Sequence, residues 1–344
     1  RLRGGTVHTD RLAFDLRVAL PPTACRQVLG AIPAPLRRPL EDVALEGRIG
    51  FEVHLALDAV SPDDTVLDGV LDNRCQISNF GGLPAPDDFR RLFAWMAYDD
   101  KGNRIRMLSG PGSDHWTAIG AISPYLIAAV LTTEDGKFES HQGLTLPELR
   151  TALSMNLRKG AMEHGASTIT MQLAKNLFLS RDRTLARKLQ ELFFTWYLES
   201  NFTKDEILEL YFNVVEFGPS IYGVGPAARY YFGREPFELN LVESVFLVKL
   251  LPSPVARHNA LKKEGGVSKK KMASLHRVMQ VMFERHRISD AEYRLGLEQE
   301  LAFYNEGDPL PEPRLVARRD GVVDLSLPPG ATEDTFADEF DDWE

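Results

Sequence analysis

The sequence predicts an α+β multidomain chain. It has a β-rich N-terminal domain over residues 1–112, a mainly α-helical domain over 113–305, and an acidic tail over 306–344 expected to be disordered. Three observations carry this. Apolar residues alternate with polar ones in the first third, the period of a half-buried strand. After Trp116 the apolar spacing changes to three and four, punctuated by capping sequences. The last fourteen residues, ATEDTFADEFDDWE, hold seven acids and no base, a composition that stays solvated. At 344 residues the chain also exceeds one ordinary core.

The formal charge of −9 belongs mostly to that tail, leaving the rest near −2. No basic stripe dominates, so nucleic acid is excluded as a partner. Cys25 and Cys75 both lie in the first third. A disulfide between them would fit an extracytoplasmic home, and two free thiols fit the spacing as well. No apolar run is long enough to span a bilayer and there is no signal peptide. Because the chain begins at Arg1 rather than Met, it reads as a fragment whose anchor or export signal lies upstream.

Taken in order, Leu12, Phe14, Leu16 and Val18 form one alternating strand, and Ile49, Phe51, Val53, Leu55 and Leu57 another. Prolines 21, 22, 33, 35 and 39 interrupt the chain between them around a short helical piece. A further strand pair is expected over Thr65 to Ile77, then a turn-rich exit from Gly81 to Asp87. Asp88 to Tyr98 reads as a short helix with Phe89, Leu92, Phe93 and Met96 inward, and Ser109 to Trp116 as the domain boundary. Ser123-Pro124 is a helix start, with a hydroxyl N-cap and a proline at the first position. Thr145-x-x-Glu148, Thr203-x-x-Glu206 and Ser289-x-x-Glu292 are capping boxes. Gly165 to Leu179 and Thr184 to Glu199 are helical. Phe217 to Phe232 is a looped region with small helical pieces. Asn240 to Leu251 is apolar nearly all round and too short to cross a membrane, hence a buried central helix.

Leu126, Ile127 and Val130 share a helical stripe, and the spacing of four continues to Glu134. A carboxyl desolvated by such neighbours and by Phe138 holds its proton more tightly, which suits a general acid or base. A helix-end glutamate in a solvated rim fits this stretch equally well. Further on, Lys175, Arg183, Arg187 and Lys188 cluster in sequence beside Glu191, a density of cations suited to a diphosphate. Arg187 and Glu191 are one helical turn apart and can pair. On spacing alone, an exposed ion-paired helix face explains that pair more simply.

These stretches occur in a fixed order: EDGKFESHQG (134–143), GASTITMQLAKNLFLS (165–180), RDRTLARKLQE (181–191), KDEILELYFNVVEFG (204–218) and YGVGPAARYYFG (222–233), with VESVFLVKLLPSP after them. In order and spacing they resemble the peptidoglycan glycosyltransferase domain, glycosyltransferase family 51, over residues 115 to 300. The forms GAST and NVVEFG look more like its monofunctional biosynthetic transglycosylases. The resemblance implies a lysozyme-like helical domain in which Glu134 is general base on the acceptor sugar's 4-hydroxyl and Glu191 is the second essential carboxylate. It also implies that Ser167, Thr168 and Gln172 line the donor side of the cleft. Lys175 and Arg183 would hold the pyrophosphate, with Arg187 and Lys188 in the same motif as Glu191. His141 would shape its loop, and Lys204 to Asn213 would be largely scaffold. Met171 departs from a usual glutamine and is expected to remove a polar side chain from the cleft wall.

The implied reaction polymerises lipid II into glycan strands by inverting displacement of undecaprenyl diphosphate. Implied partners are lipid II, the growing strand, the membrane surface and other cell-wall synthesis proteins. The implied location is the periplasmic face of the inner membrane. No protein-held metal is implied, although magnesium or manganese at the donor pyrophosphate is compatible with the chemistry. The helix from Thr145 to Met162 fits a membrane-touching jaw and an ordinary amphipathic core helix alike. Ser268 to Lys271 spells S-x-x-K, but no KTG follows and it reads as a surface turn. The N-terminal strands faintly resemble AsmA-type envelope proteins; a plain β-accessory domain is the more cautious reading. Two rival functions are a catalytically idle lipid- or glycan-binding regulator, kept alive by Met171, and a lysozyme-like glycan-cleaving enzyme, which has no use for a diphosphate cradle.

Overall fold

The computed structural model describes residues 13–37, 40–161, 165–181 and 184–314. Strand and helix both occur, in two compact units. The first unit holds the described residues of Arg1–Ala85, Leu144–Ser167 and Arg181–Leu192. The second holds those of Pro86–Gly143, Thr168–Ser180 and Phe193–Glu344.

In the first unit β1 (Ala13–Ala24) leads into α1 (Cys25–Ala31), then β2 (Ala44–Glu46), β3 (Arg48–Asp58), β4 (Val66–Asn73) and β5 (Gln76–Asn79). The strand order is β1-β3-β4, with β2 and β5 forming a separate pair. Leu16 faces Leu55, Val18 faces Val53 and Leu20 faces Phe51, so the alternating residues of the two strands become cross-strand partners. Gly69 on β4 lies where a Cβ would stand 2.5 Å from the Glu52 carbonyl oxygen, so the close approach of the strands requires glycine there. Cys25 and Cys75 are disulfide-bonded across 50 residues. Closing a loop of that length stabilises by about 4 kcal/mol in the chain-entropy account.

The segment predicted as a short helix over Asp88 to Tyr98 is instead β6 (Phe93–Tyr98), paired with β7 (Arg104–Ser109) and preceded by a single 3-10 turn at Pro86–Asp88. Phe93, Trp95 and Ala97 are the buried side chains, a period of two. The turn that follows enforces it: Asp99 accepts from the backbone N–H of Lys101 and Asn103, and Gly102 has φ +81°. This hairpin belongs to the second unit.

The helices follow as α2 (Pro124–Thr133), α3 (Leu146–Lys159), α4 (Ile169–Phe178), α5 (Leu185–Asn201) and α6 (Lys204–Val214). After the small hairpin β8 (Glu216–Gly218) and β9 (Ile221–Tyr222) come α7 (Val224–Phe232), α8 (Leu241–Leu250), α9 (Pro254–Glu264), α10 (Lys269–Glu284) and α11 (Asp290–Glu298). Helix α3 lies in the first unit, where the Ser154 hydroxyl donates to the Pro62 carbonyl and Arg158 pairs with Asp63. Every residue of α8 is buried, and α2 packs against it. Capping boxes form at Thr203/Glu206, Asn240/Glu243 and Ser289/Glu292. The one predicted at Thr145 does not: its hydroxyl donates to the Glu148 carboxylate at 2.5 Å. Ser123 likewise occupies the N-cap of α2 but donates to the Leu239 carbonyl. Ser268, read as part of a surface turn, is the N-cap of α10 and accepts from the Lys271 N–H, and Lys271 is buried in an ion pair with Glu264.

The acidic tail was expected to be without structure from residue 306, yet its first part is anchored. Just before it, Phe303 packs on Phe232 and Phe246, and the Tyr304 N–H donates to the Tyr231 carbonyl; within it, Arg234 Nη1 donates to the Glu312 carbonyl. Arg314 pairs with buried Glu243. The rest of the tail, from 315, lies outside the described residues. Among the described residues no helix is long and apolar enough to cross a membrane.

Candidate active site

Helix α2 delivers Glu134 to its C-cap position, directly after Thr132 and Thr133, whose hydroxyls bond back to the helix. Glu134 is partly exposed, and its Oε2 accepts from Gln172 Nε2 at 2.8 Å. Gln172 stands one turn into α4, which starts at Thr168 rather than Gly165. The Thr168 side chain accepts from the Met171 N–H and donates to the Gly143 carbonyl, so one hydroxyl fixes both α4 and the loop after Glu134. From α6 the Tyr211 hydroxyl donates to Gln172 Oε1 at 3.2 Å.

Burial raises the pKa of Glu134 above the ordinary carboxyl range. The Gln172 hydrogen bond opposes this, as do the charges of Arg257 and Lys175, while Asp135 reinforces it. The result is a carboxyl that takes a proton more readily than a solvated glutamate, as a base must.

The loop from 135 to 143 is held independently. Buried Asp135 accepts from the Ile169 N–H through one oxygen and meets His141 Nε2 at 2.8 Å through the other. His141 Nδ1 accepts from the Gly143 N–H, so its ring closes the loop, in keeping with a loop-shaping residue. Lys204 pairs with Glu199 and lies 4.2 Å above the Phe138 ring.

The second cluster belongs to the first unit. Glu191 is 3% exposed and accepts from Arg187 at 3.0 Å and Lys188 at 2.6 Å. A solvated helix face, the simpler expectation for this pair, is therefore not what the fold contains, since the carboxylate is buried. Of the residues predicted for the site, Glu134, Thr168, Gln172 and Lys175 fall in the second unit and Ser167, Arg187, Lys188 and Glu191 in the first. Ser167 and Lys175 are exposed. Arg183 lies outside the described residues. Met171, expected on the cleft wall, is buried in the core, so the departure from glutamine changes packing. Sequence reading missed Asp135 and Arg257 and gave Tyr211 no more than scaffold duty. Only the helical spacing of Tyr211 within its motif offered a signal. Among the described residues no group of three or more His, Cys, Asp or Glu is placed to hold a metal.

Comparison with known proteins gives a family. The biosynthetic peptidoglycan transglycosylase of Nitrosospira multiformis is 43% identical over 139 residues, 40% of this chain and 60% of that protein. The protein of the same name from Acinetobacter baylyi is 43% identical over 146 residues, 42% of this chain and 65% of that one. The chain thus matches under two thirds of the length of these relatives. Penicillin-Binding Protein 1A from Haemophilus influenzae gives a TM-score of 0.29 at 18% identity, over 62% of this chain and 21% of that one, too weak a likeness to inform the fold. The family model described as Transglycosylase matches residues 101–282, more than half the chain. This chain belongs to the transglycosylase family.

Proposed function

We propose that the protein is a peptidoglycan glycosyltransferase that polymerises lipid II, with a lysozyme-like helical domain. The acceptor's 4-hydroxyl oxygen attacks the anomeric carbon of the donor strand and forms the new glycosidic bond. The bond from that carbon to the diphosphate oxygen breaks, and undecaprenyl diphosphate leaves with the electron pair. The hydroxyl proton passes to Glu134, and the anomeric configuration inverts. Arg187 and Lys188, held by Glu191, are assigned with Lys175 and Arg183 to the negative charge of the diphosphate. A divalent cation at the diphosphate would be held chiefly by the substrate, and no step here involves one.

The observation that carries this reading is the Glu134 carboxyl, hydrogen-bonded to Gln172 and raised in pKa by burial. A raised carboxyl also suits a glycan-cleaving acid, but such an enzyme has no diphosphate to hold and no use for the cations gathered at Glu191. An idle regulator loses its main support, because Met171 is in the core. The strands β1 to β5, up to residue 85, are assigned to a β-rich accessory role, a shorter stretch than the expected 1–112 because the β6–β7 hairpin belongs to the second unit. The protein is assigned to the periplasmic face of the inner membrane, where lipid II is the substrate.

The test is a gel assay with labelled lipid II. Glycan chains are expected from the parent protein and none from Glu134→Gln at unchanged far-UV circular dichroism. Cleavage of finished glycan, or equal polymer from the variant, would sink the assignment.

A further inference from the structure

Two hydrogen bonds meet at the Gln172 amide, one at each end. Nε2 faces Glu134 and Oε1 faces the Tyr211 hydroxyl. The two ends of an amide have nearly the same shape and opposite chemistry. With the N–H end toward Glu134 it supports the carboxylate. With the carbonyl end there it supports only the protonated acid. Something must choose between them, and α4 itself does not, because a half-turn about the last side-chain bond exchanges the ends without moving the helix.

Tyr211 is fully buried, and its ring packs edge-on to Phe212. Burial, with the negative charges of Glu134 and Asp135, pushes its pKa well above the usual phenol value, so it stays a donor at every working pH. A donor at that position is satisfied by Oε1. Reversing the amide would set its carbonyl against the Glu134 carboxylate and turn its N–H toward the phenol oxygen, which could accept only by swinging its own proton away from Oε1, its one acceptor among the described residues.

We propose that Tyr211 is a positioning residue that acts through Gln172: its hydroxyl fixes the amide so that Oε2 of Glu134 is committed to the N–H and Oε1 is the oxygen that takes the acceptor's proton. The catalytic part rests on the reading of Glu134 as base, whereas the orientation of the amide does not depend on it. Deleting the hydroxyl releases the amide to reverse, which favours the protonated acid. Removing the amide itself should have the same effect and leave Tyr211 nothing further to act on.

The test compares the full chain with Tyr211→Phe, Gln172→Leu and the double variant, reading two quantities. One is the titration of Glu134 by NMR of protein labelled with 13C-glutamate, its signal identified by loss in Glu134→Gln. The other is the pH profile of lipid II polymerisation. Tyr211→Phe is expected to raise the Glu134 titration midpoint, to move the acid limb of kcat/KM the same way, and to lower kcat by about tenfold with KM within about twofold. In the Gln172→Leu background the same change should move neither quantity by more than about twofold. Equal effects in both backgrounds, or no shift of the midpoint in either, would overturn the proposal. If the parent makes no polymer, the proposed activity fails while the titration still decides the positioning. Should Tyr211→Phe not fold, hydrogen exchange at the Gln172 side-chain amide of the parent protein decides instead. Slow exchange supports a fixed N–H, and exchange as fast as a solvated glutamine refutes it.

Discussion

Gly143 offers the sharpest test of how the loop beside Glu134 is held. Its φ is +84°, and a Cβ there would stand 2.4 Å from Thr195 Cγ2 and 3.0 Å from Glu199 Cγ. Gly143→Ala therefore meets two separate penalties. Left-handed backbone with a Cβ costs about 1 kcal/mol. Forcing a methyl into the contact with Thr195 costs about 2 kcal/mol, since Thr195 is 3% exposed and has little room to move. Reduced freedom of the unfolded chain returns about 0.5 kcal/mol. The net destabilisation is about 2.5 kcal/mol. Thr195→Ser removes the methyl that the new Cβ strikes and by itself costs about 1 kcal/mol as a small cavity. Together the two changes should cost about 1.5 kcal/mol, well under the sum of the singles, because each relieves the other. Urea denaturation of the four proteins measures this cycle. Additive singles would show that the contact with Thr195 is not what excludes a side chain at 143. A fully stable Gly143→Ala would refute the conformational argument as well.

Two further outcomes follow from the same unit. A carboxyl whose folded pKa is raised contributes stability below its unfolded pKa, about 4.3 for glutamate, and that contribution is lost as pH rises through the folded value. Glu134→Gln should therefore be more stable than the parent at pH 8, with the difference vanishing below about pH 4; thermal unfolding at the two pH values reads it, and a variant less stable at pH 8 would contradict the burial argument. Phe303→Ala removes the ring packed on both Phe232 and Phe246 and should cost about 2 kcal/mol by urea denaturation, against no change if the segment around it were unanchored.

Part of the candidate site was legible because its residues follow helical arithmetic. The stripe through Leu126, Ile127 and Val130 points to Glu134, and the spacing from Arg187 to Glu191 points to an ion pair, which the fold forms. Burial was not legible: the same spacing serves a solvated face, and only tertiary packing brings Glu191 to 3% exposure. The FAWMAY run failed for a different reason. Short apolar runs satisfy both periods, and the turn at Asp99 decides between them through hydrogen bonds to Lys101 and Asn103 that lie outside the run itself.

The end of the described chain shows where composition misleads. Proline, glycine and acid average to a disordered reading, but averages ignore single anchors. Arg314 finds Glu243, on a helix whose every residue is buried. Tyr211 belongs to the same class. Its position in a motif of helix α6 says that it faces inward, and its meaning comes from one oxygen of Gln172 on a different helix. A residue whose role is set by a single distant partner leaves no periodic trace. Such residues mark the boundary between what pattern predicts and what packing decides, and Tyr211, hydrogen-bonded to Gln172 beside Glu134, is one of them.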